Sequence, residues 1–190
     1  MGKTRNAQHV VMRFADSMCS GVDTIREHQQ VIDQEGAVWL GKIGRPLAQH
    51  KLDLLNEQIQ DGTRTFIFLV QKRGRDYSWT KASLSEARRA IQASGRSLVP
   101  AYYRELGIAK SVSTWFKVTA LKKATRNEVR NLHVVSSGRQ ISETLASSMA
   151  AIFMVCFGAS NSNRGRKPPG STPTGNIYEA VLDAFEDDDF

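Results

Sequence analysis

The run Thr63 to Gln71, TRTFIFLVQ, is nearly all β-branched or aromatic and is the strongest strand in the sequence. A basic turn, Lys72-Arg73-Gly74-Arg75-Asp76, separates it from Tyr77 to Ala82, YSWTKA. The arrangement reads as a β-hairpin with a cationic tip, and the rest of the chain must build its sheet around that pair.

Further strands are read at Gln8 to Phe14, Ala37 to Ile43, Ser113 to Leu121, Leu132 to Ser136 and Ala150 to Phe157. Thr24 and Glu27 have the spacing of a helix capping box. Ile25, His28, Val31 and Ile32 follow at helical spacing, and Gly36 is placed to end the helix. Pro46 suits the first position of a second helix, which carries Leu47, Leu54, Leu55 and Ile59 and stops at Gly62. Short helices are read at Val99 to Leu106, opened by Pro100, and at Ile141 to Ser148, whereas Leu84 to Ile91 suits strand and helix equally. About six strands thus interleave with two to four helices without the alternation of a doubly wound sheet. The fold class is α+β, a curved mixed sheet or small barrel flanked by short helices.

From Ala159 the composition changes. Residues 159–176 are small, polar or rich in Pro and Gly and read as a flexible linker, and residues 177–190 end in an acidic tip. The expected division is therefore a domain over 1–158, a linker over 159–176 and a tip over 177–190. Charge divides at the same place. Residues 1–158 hold 23 Lys and Arg against 13 Asp and Glu, while residues 159–190 hold 3 against 6. A domain this basic attracts polyanions through its field and by releasing counterions. The expected partner is nucleic acid, DNA ahead of RNA. No apolar run approaches the ~20 residues of a membrane-spanning helix, and the basic start does not read as a secretory signal. Cys19 and Cys156 have no metal-like spacing, and a reducing, cytoplasmic home is expected.

Catalytic patterns are missing: there is no phosphate loop, no Gly-x-Ser-x-Gly elbow and no His-Glu-x-x-His. His9, His28, His50 and His133 are scattered. Asp53 and Glu57, four apart on the second helix, read as a solvated acidic face before a metal pair. The expectation is a protein that is not an enzyme and needs neither cofactor nor metal. The aromatic residues carry more. Trp39, Tyr77, Trp79, Tyr102, Tyr103, Trp115 and Phe116 lie in or beside the strands and the Pro100 turn, among cations. Rings stack on unpaired bases, at about 1–3 kcal/mol per base, while Arg and Lys hold phosphates. The competing reading makes at least two of these rings plain packing residues.

In element order and tryptophan placement, through GAVWLGKIG, TFIFLV, YSWTKA, VPAYYR and STWFKV, residues 8–157 resemble small PUA-like domains, among them the EVE and YTH-type readers of modified bases. The resemblance implies a curved sheet or small PUA-like barrel carrying an aromatic pocket that takes a flipped base. It makes Trp39 and Trp79 the first pocket candidates and Tyr102 and Trp115 the next, with a basic rim from Lys42, Arg45, Lys72, Arg73 and Arg75. The ending Phe185-Glu186-Asp187-Asp188-Asp189-Phe190, after its polar spacer, resembles the tails of bacterial and phage single-stranded-DNA-binding proteins. That likeness implies a tip that docks on a partner protein or folds back on the domain's own basic face. Two alternatives stand beside the base reader: a sequence-tolerant single-strand binder or replication accessory of a phage or mobile element, and a non-catalytic adaptor.

Overall fold

A computed structural model describes residues 6–92 and 97–158. Its elements run β1 (Gln8–Arg13), α1 (Thr24–Glu35), β2 (Val38–Ile43), α2 (Gln49–Gln60), β3 (Thr65–Arg73), β4 (Asp76–Arg88), α3 (Ala101–Glu105), β5 (Val112–Lys123), α4 (Arg126–Arg130), β6 (Leu132–Val134), α5 (Ile141–Ser147) and β7 (Ile152–Phe157). The seven strands form one mixed sheet in the order β2-β5-β4-β3-β1-β7-β6. The fold is α+β, as the alternation of apolar runs predicts.

β1 and β3 take the centre because both are apolar on both faces. Val10, Val11 and Met12 are buried, and so are Ile67 through Val70. The two strands pair in parallel, Val10 opposite Ile67, and a parallel pair needs a long crossover. α1, β2 and α2 supply it. The pleat then sorts the side chains. Val10, Met12, Ile67 and Leu69 join the core with Ile32 of α1 and with Leu52 and Leu55 of α2. Val11, Phe68 and Val70 enter a second core with Leu132, Ile141 and Leu145. Each fully buried side chain of this kind stabilises the fold by about 1.5–3 kcal/mol.

The sheet is curved. β2 lies four places from β1 in the strand order, yet Leu40 of β2 and Met12 of β1 share one core. β2 pairs with β5 alone, so the curl stays open rather than closing as a barrel. The β3–β4 hairpin turns through Gly74 and Arg75, with Gly74 at φ 60°, a left-handed conformation that glycine adopts without strain.

Four details correct the reading of the sequence. The N-cap of α1 is Asp23, whose carboxylate accepts from the Arg26 amide, and Thr24 is already helical. α2 starts at Gln49 instead of Pro46, because the Leu47 amide donates to Thr114 Oγ1 of β5 and holds that stretch extended. Residues 84–88 continue β4, with the Asn56 side chain pairing both the amide and the carbonyl of Ala87. α4, with a capping box between Thr125 and Glu128, had no counterpart in the sequence reading.

Candidate nucleic-acid interface

Trp39 and Trp115 project from β2 and β5 into a cluster covered by Tyr102 and Tyr103 of α3. Trp39 is 3% exposed and Trp115 5%, so neither ring offers a free face to solvent. Tyr103 lies 5.7 Å from the Trp115 ring, and Tyr102 lies 4.7 Å from Tyr103. The Arg88 guanidinium sits 5.4 Å from the centre of the Trp39 ring. Beneath the tyrosines lies His28 of α1, 6.0 Å from the Tyr102 ring and 5.8 Å from that of Tyr103. Its Nδ1 is 2.7 Å from the Thr24 carbonyl, and burial lowers its pKa to about 4, so the ring is neutral at pH 7.

Gly41 of β2 lets this layer approach. A Cβ there would come within 2.7 Å of Val112 Cγ2 and 2.8 Å of Tyr103 Cε1. Only glycine permits the Tyr103 ring to lie on the strand, and the Gly41 amide donates to the Tyr103 hydroxyl at 3.0 Å. The ring edge so placed forms one wall of a hollow of about 420 Å³ in the curl of the sheet. The end of β1 and the residues after it, Met12 to Ala15, form a second wall. Leu40 to Ile43 of β2, Val70 and Lys72 of β3 and Tyr77 of β4 complete most of the rest. Its size falls within the roughly 300–1,000 Å³ range of small-ligand sites.

Four rings line this hollow: Phe14, Tyr77, Tyr102 and Tyr103. Three cationic residues do so as well, Arg13, Lys42 and Lys72, and no carboxylate is among the lining residues. The cations differ in role. Lys42 is buried, and its Nζ donates to the carbonyls of Ile43 and Arg45, which ties down the turn after β2. Burial lowers its pKa. The Arg13 guanidinium donates to the Leu145 carbonyl. Lys72 is exposed and leads to the exposed Arg73 and Arg75 at the hairpin tip. Arg73 is braced. Its Nε donates to Gln71 Oε1 at 3.0 Å, and Gln71 Nε2 donates to Asp16 Oδ2 at 2.8 Å. Burial pushes the Asp16 carboxyl up, but hydrogen bonds from Gln71 and Thr24 and the charge of Arg73 outweigh it, and its pKa is lowered.

The structure therefore divides the predicted ring set. Of Trp39, Trp79, Tyr102 and Trp115, Tyr102 lines the hollow, and the two buried tryptophans support it from behind. Trp79 packs against the other core, with Phe66 and Tyr77. Of the predicted cations, Lys42 and Lys72 line the hollow. Arg73 and Arg75 stand on the adjoining hairpin and Arg45 on the turn that Lys42 holds. Sequence reasoning did not single out Phe14, Arg13, Asp16 or Gln71. The expected tip, Phe185 to Phe190, lies outside the described residues.

A second hollow, of about 690 Å³, lies between α2 and the β6–β7 edge and is lined by His50, Lys51, Asp53, Glu57 and apolar residues of β7. Asp53 and Glu57 are exposed there. No group of three or more metal-ligating side chains occurs among the described residues. Among them, no helix is long and apolar enough to cross a membrane.

No curated protein and no solved structure matches the chain. The model of one family, described as Pua-like, matches residues 10–144, a stretch that takes in most of β1, all of β2 through β6 and every wall of the hollow except Met149 and Ala151. With more than half of its 190 residues in that match, the chain belongs to the Pua-like family.

Proposed function

We propose that this protein is a non-catalytic reader of nucleic acid that takes one unstacked base, flipped or modified, into the hollow between β1, β2 and α3. The Pua-like fold is in general one suited to binding nucleic acid. The observation that carries the finer reading is the hollow's lining: four rings and three cationic residues with no carboxylate. A neutral planar base can stack on the half-buried Phe14 and Tyr77, at about 1–3 kcal/mol per base, while Tyr102 and Tyr103, 5% and 4% exposed, present only their edges to it. Lys72, Arg73 and Arg75 stand where phosphates flanking that base would pass, and these three cations outnumber the two acids beside them, Asp16 and Asp76. Withdrawing a base from a duplex costs a few kcal/mol, so a base that is already unpaired or weakened by modification is preferred.

The test is a side-by-side titration of single-stranded, duplex and base-modified oligonucleotides, DNA and RNA, across a salt series. The expected result is tightest binding to one modified or unpaired base and an affinity that falls steeply with salt. Equal affinity for every single strand would replace the reader by a sequence-tolerant strand binder. Absence of binding to all of them at low salt would remove nucleic acid as the ligand.

A further inference from the structure

We propose that Met149 is a wedge: it enters the stack of a DNA duplex and fills the place left by the base taken into the hollow. The proposal rests on the reading of that hollow as a base site and deepens it, because it names a duplex as the ligand. Three large apolar side chains are exposed among the described residues, Ile43, Leu106 and Met149. One such side chain on a surface is ordinary. Two of these three, Ile43 and Met149, line the same hollow, and Met149 is 94% exposed there. A side chain that both lines a hollow and faces solvent stands at its mouth.

The loop that carries Met149 is held on both sides. The Ser148 amide donates to the Thr144 carbonyl at 2.9 Å, and the Arg13 amide donates to the Ala151 carbonyl at 2.8 Å. Between these anchors the Ala150 amide donates to Ser148 Oγ at 3.2 Å. The neighbours Ser147, Ser148, Ala150 and Ala151 are all small, so the methionine is the one long side chain of the loop, and no residue from Thr144 to Ala151 is charged. The hairpin cations stand at the same end of the sheet, since Val70 pairs with Arg13 and Lys72 follows it. β1 separates β3 from β7, which places the hairpin two strand spacings from the loop, about 9–10 Å. A nucleotide whose phosphates rest on the hairpin and whose base enters the hollow leaves a gap at the mouth, one base or about 3.4 Å thick. An unbranched, polarisable thioether fits such a gap, and apolar wedges of this kind offset the cost of unstacking. A single strand has no such gap to fill.

The experiment compares the full chain with Met149→Ala and Met149→Leu on three probes: a short DNA duplex with one central mismatched pair, the same duplex fully paired, and the mismatched strand alone. The mismatched base is 2-aminopurine, whose fluorescence rises when it leaves the stack. The wild-type chain should bind the mismatched duplex more tightly than the paired one and raise its fluorescence. Met149→Ala should weaken binding to the mismatched duplex on the order of tenfold and suppress the rise. Its affinity for the single strand should stay within about twofold, because stacking inside the hollow is untouched. Met149→Leu, apolar and of similar volume, should keep both signals. Neither variant should shift the melting temperature, since the side chain is exposed. Equal losses on duplex and single strand overturn the proposal, because Met149 would then be an ordinary contact, and so does an unchanged duplex affinity. Binding of the single strand alone overturns the wedge and leaves the base reader standing. Binding of no probe takes away the DNA reading and the wedge with it.

Discussion

The two hollows of this domain share a sheet but not a chemistry. The larger one, against α2, brings His50 and Lys51 together with two carboxylates, Asp53 and Glu57. The smaller one, in the curl of the sheet, is lined by four rings and three cationic residues, with no carboxylate among its lining residues. Volume by itself would favour the former. A polyanion distinguishes them by sign, because carboxylates beside the α2 hollow repel the phosphates that the hairpin tip attracts. Support differs as well. Behind the smaller hollow stand Trp39, Trp115 and the neutral His28, whereas the larger is bordered by an exposed helix face and an edge of the sheet.

The largest effect tests that support. Trp115→Ala should cost about 3–5 kcal/mol of stability as a buried aromatic truncation, read as a lower melting temperature. Phe153→Ala, at the half-buried rim of the α2 hollow, should cost clearly less. A Trp115→Ala chain that melts like the wild type and loses only ligand would return that ring to the ligand site.

Acid gives the next effect. Burial holds His28 and His9 at about 4 in the folded chain, against about 6.5 when unfolded. The unfolded chain then binds more protons between those values. The stabilising contribution is complete above pH 6.5 and is lost as the pH falls toward 4, at about 3 kcal/mol for each histidine. His28→Gln should flatten this loss by about half in denaturant titrations at pH 7 and pH 4.5. An unchanged pH dependence would mean that His28 is not buried neutral beneath the ring layer.

Charge reversal addresses the comparison directly. Lys72→Glu, Arg73→Glu and Arg75→Glu combined should weaken oligonucleotide binding on the order of a hundredfold at low salt, and Lys51→Glu by no more than about twofold. Comparable losses from both would abolish the distinction between the hollows. The smallest effect belongs to a single ring. Tyr77→Ala should weaken binding by about 1–2 kcal/mol through lost stacking, with the melting temperature little changed because Tyr77 is only half-buried. A loss of stability without a loss of affinity would assign the ring to packing alone.

The sequence revealed elements better than assemblies. Apolar runs located all seven strands, because burial on one or two faces leaves a periodicity that survives in the linear order. β4 past Ala82 resisted, and the register explains it. Shifts between Ala82 and Leu84 and again between Leu84 and Glu86 break the period of two, so the residues facing the core no longer alternate. The start of α2 was misread because the extended stretch after Pro46 depends on Thr114, far along the chain. The same limit applied to the site. Tyr102 and the cations of the hairpin were visible as residue types in a telling context. That Phe14 would meet Gly41, Tyr77 and Tyr103 follows only from the curl of the sheet. Tryptophan is as suited to a core as to a base, and here Trp39 and Trp115 went inside.

The position of β1 has a further consequence, for how the chain acquires its structure. This first strand is flanked by β3 on one side and by β7, the last described strand, on the other. Contacts between Gln8 and Cys156 or Met12 and Ile152 span nearly the whole domain, and such pairings are slow to form because a long loop must be closed before they are rewarded. During synthesis from the N-terminus, β1 can find β3 early but must wait for residues 152–157 to leave the ribosome. Until then its outer hydrogen-bonding edge is open, and an open apolar edge is a template for pairing with another chain. The final strand thus acts as a clasp on the first, and a nascent chain lacking it presents a sticky intermediate to its neighbours.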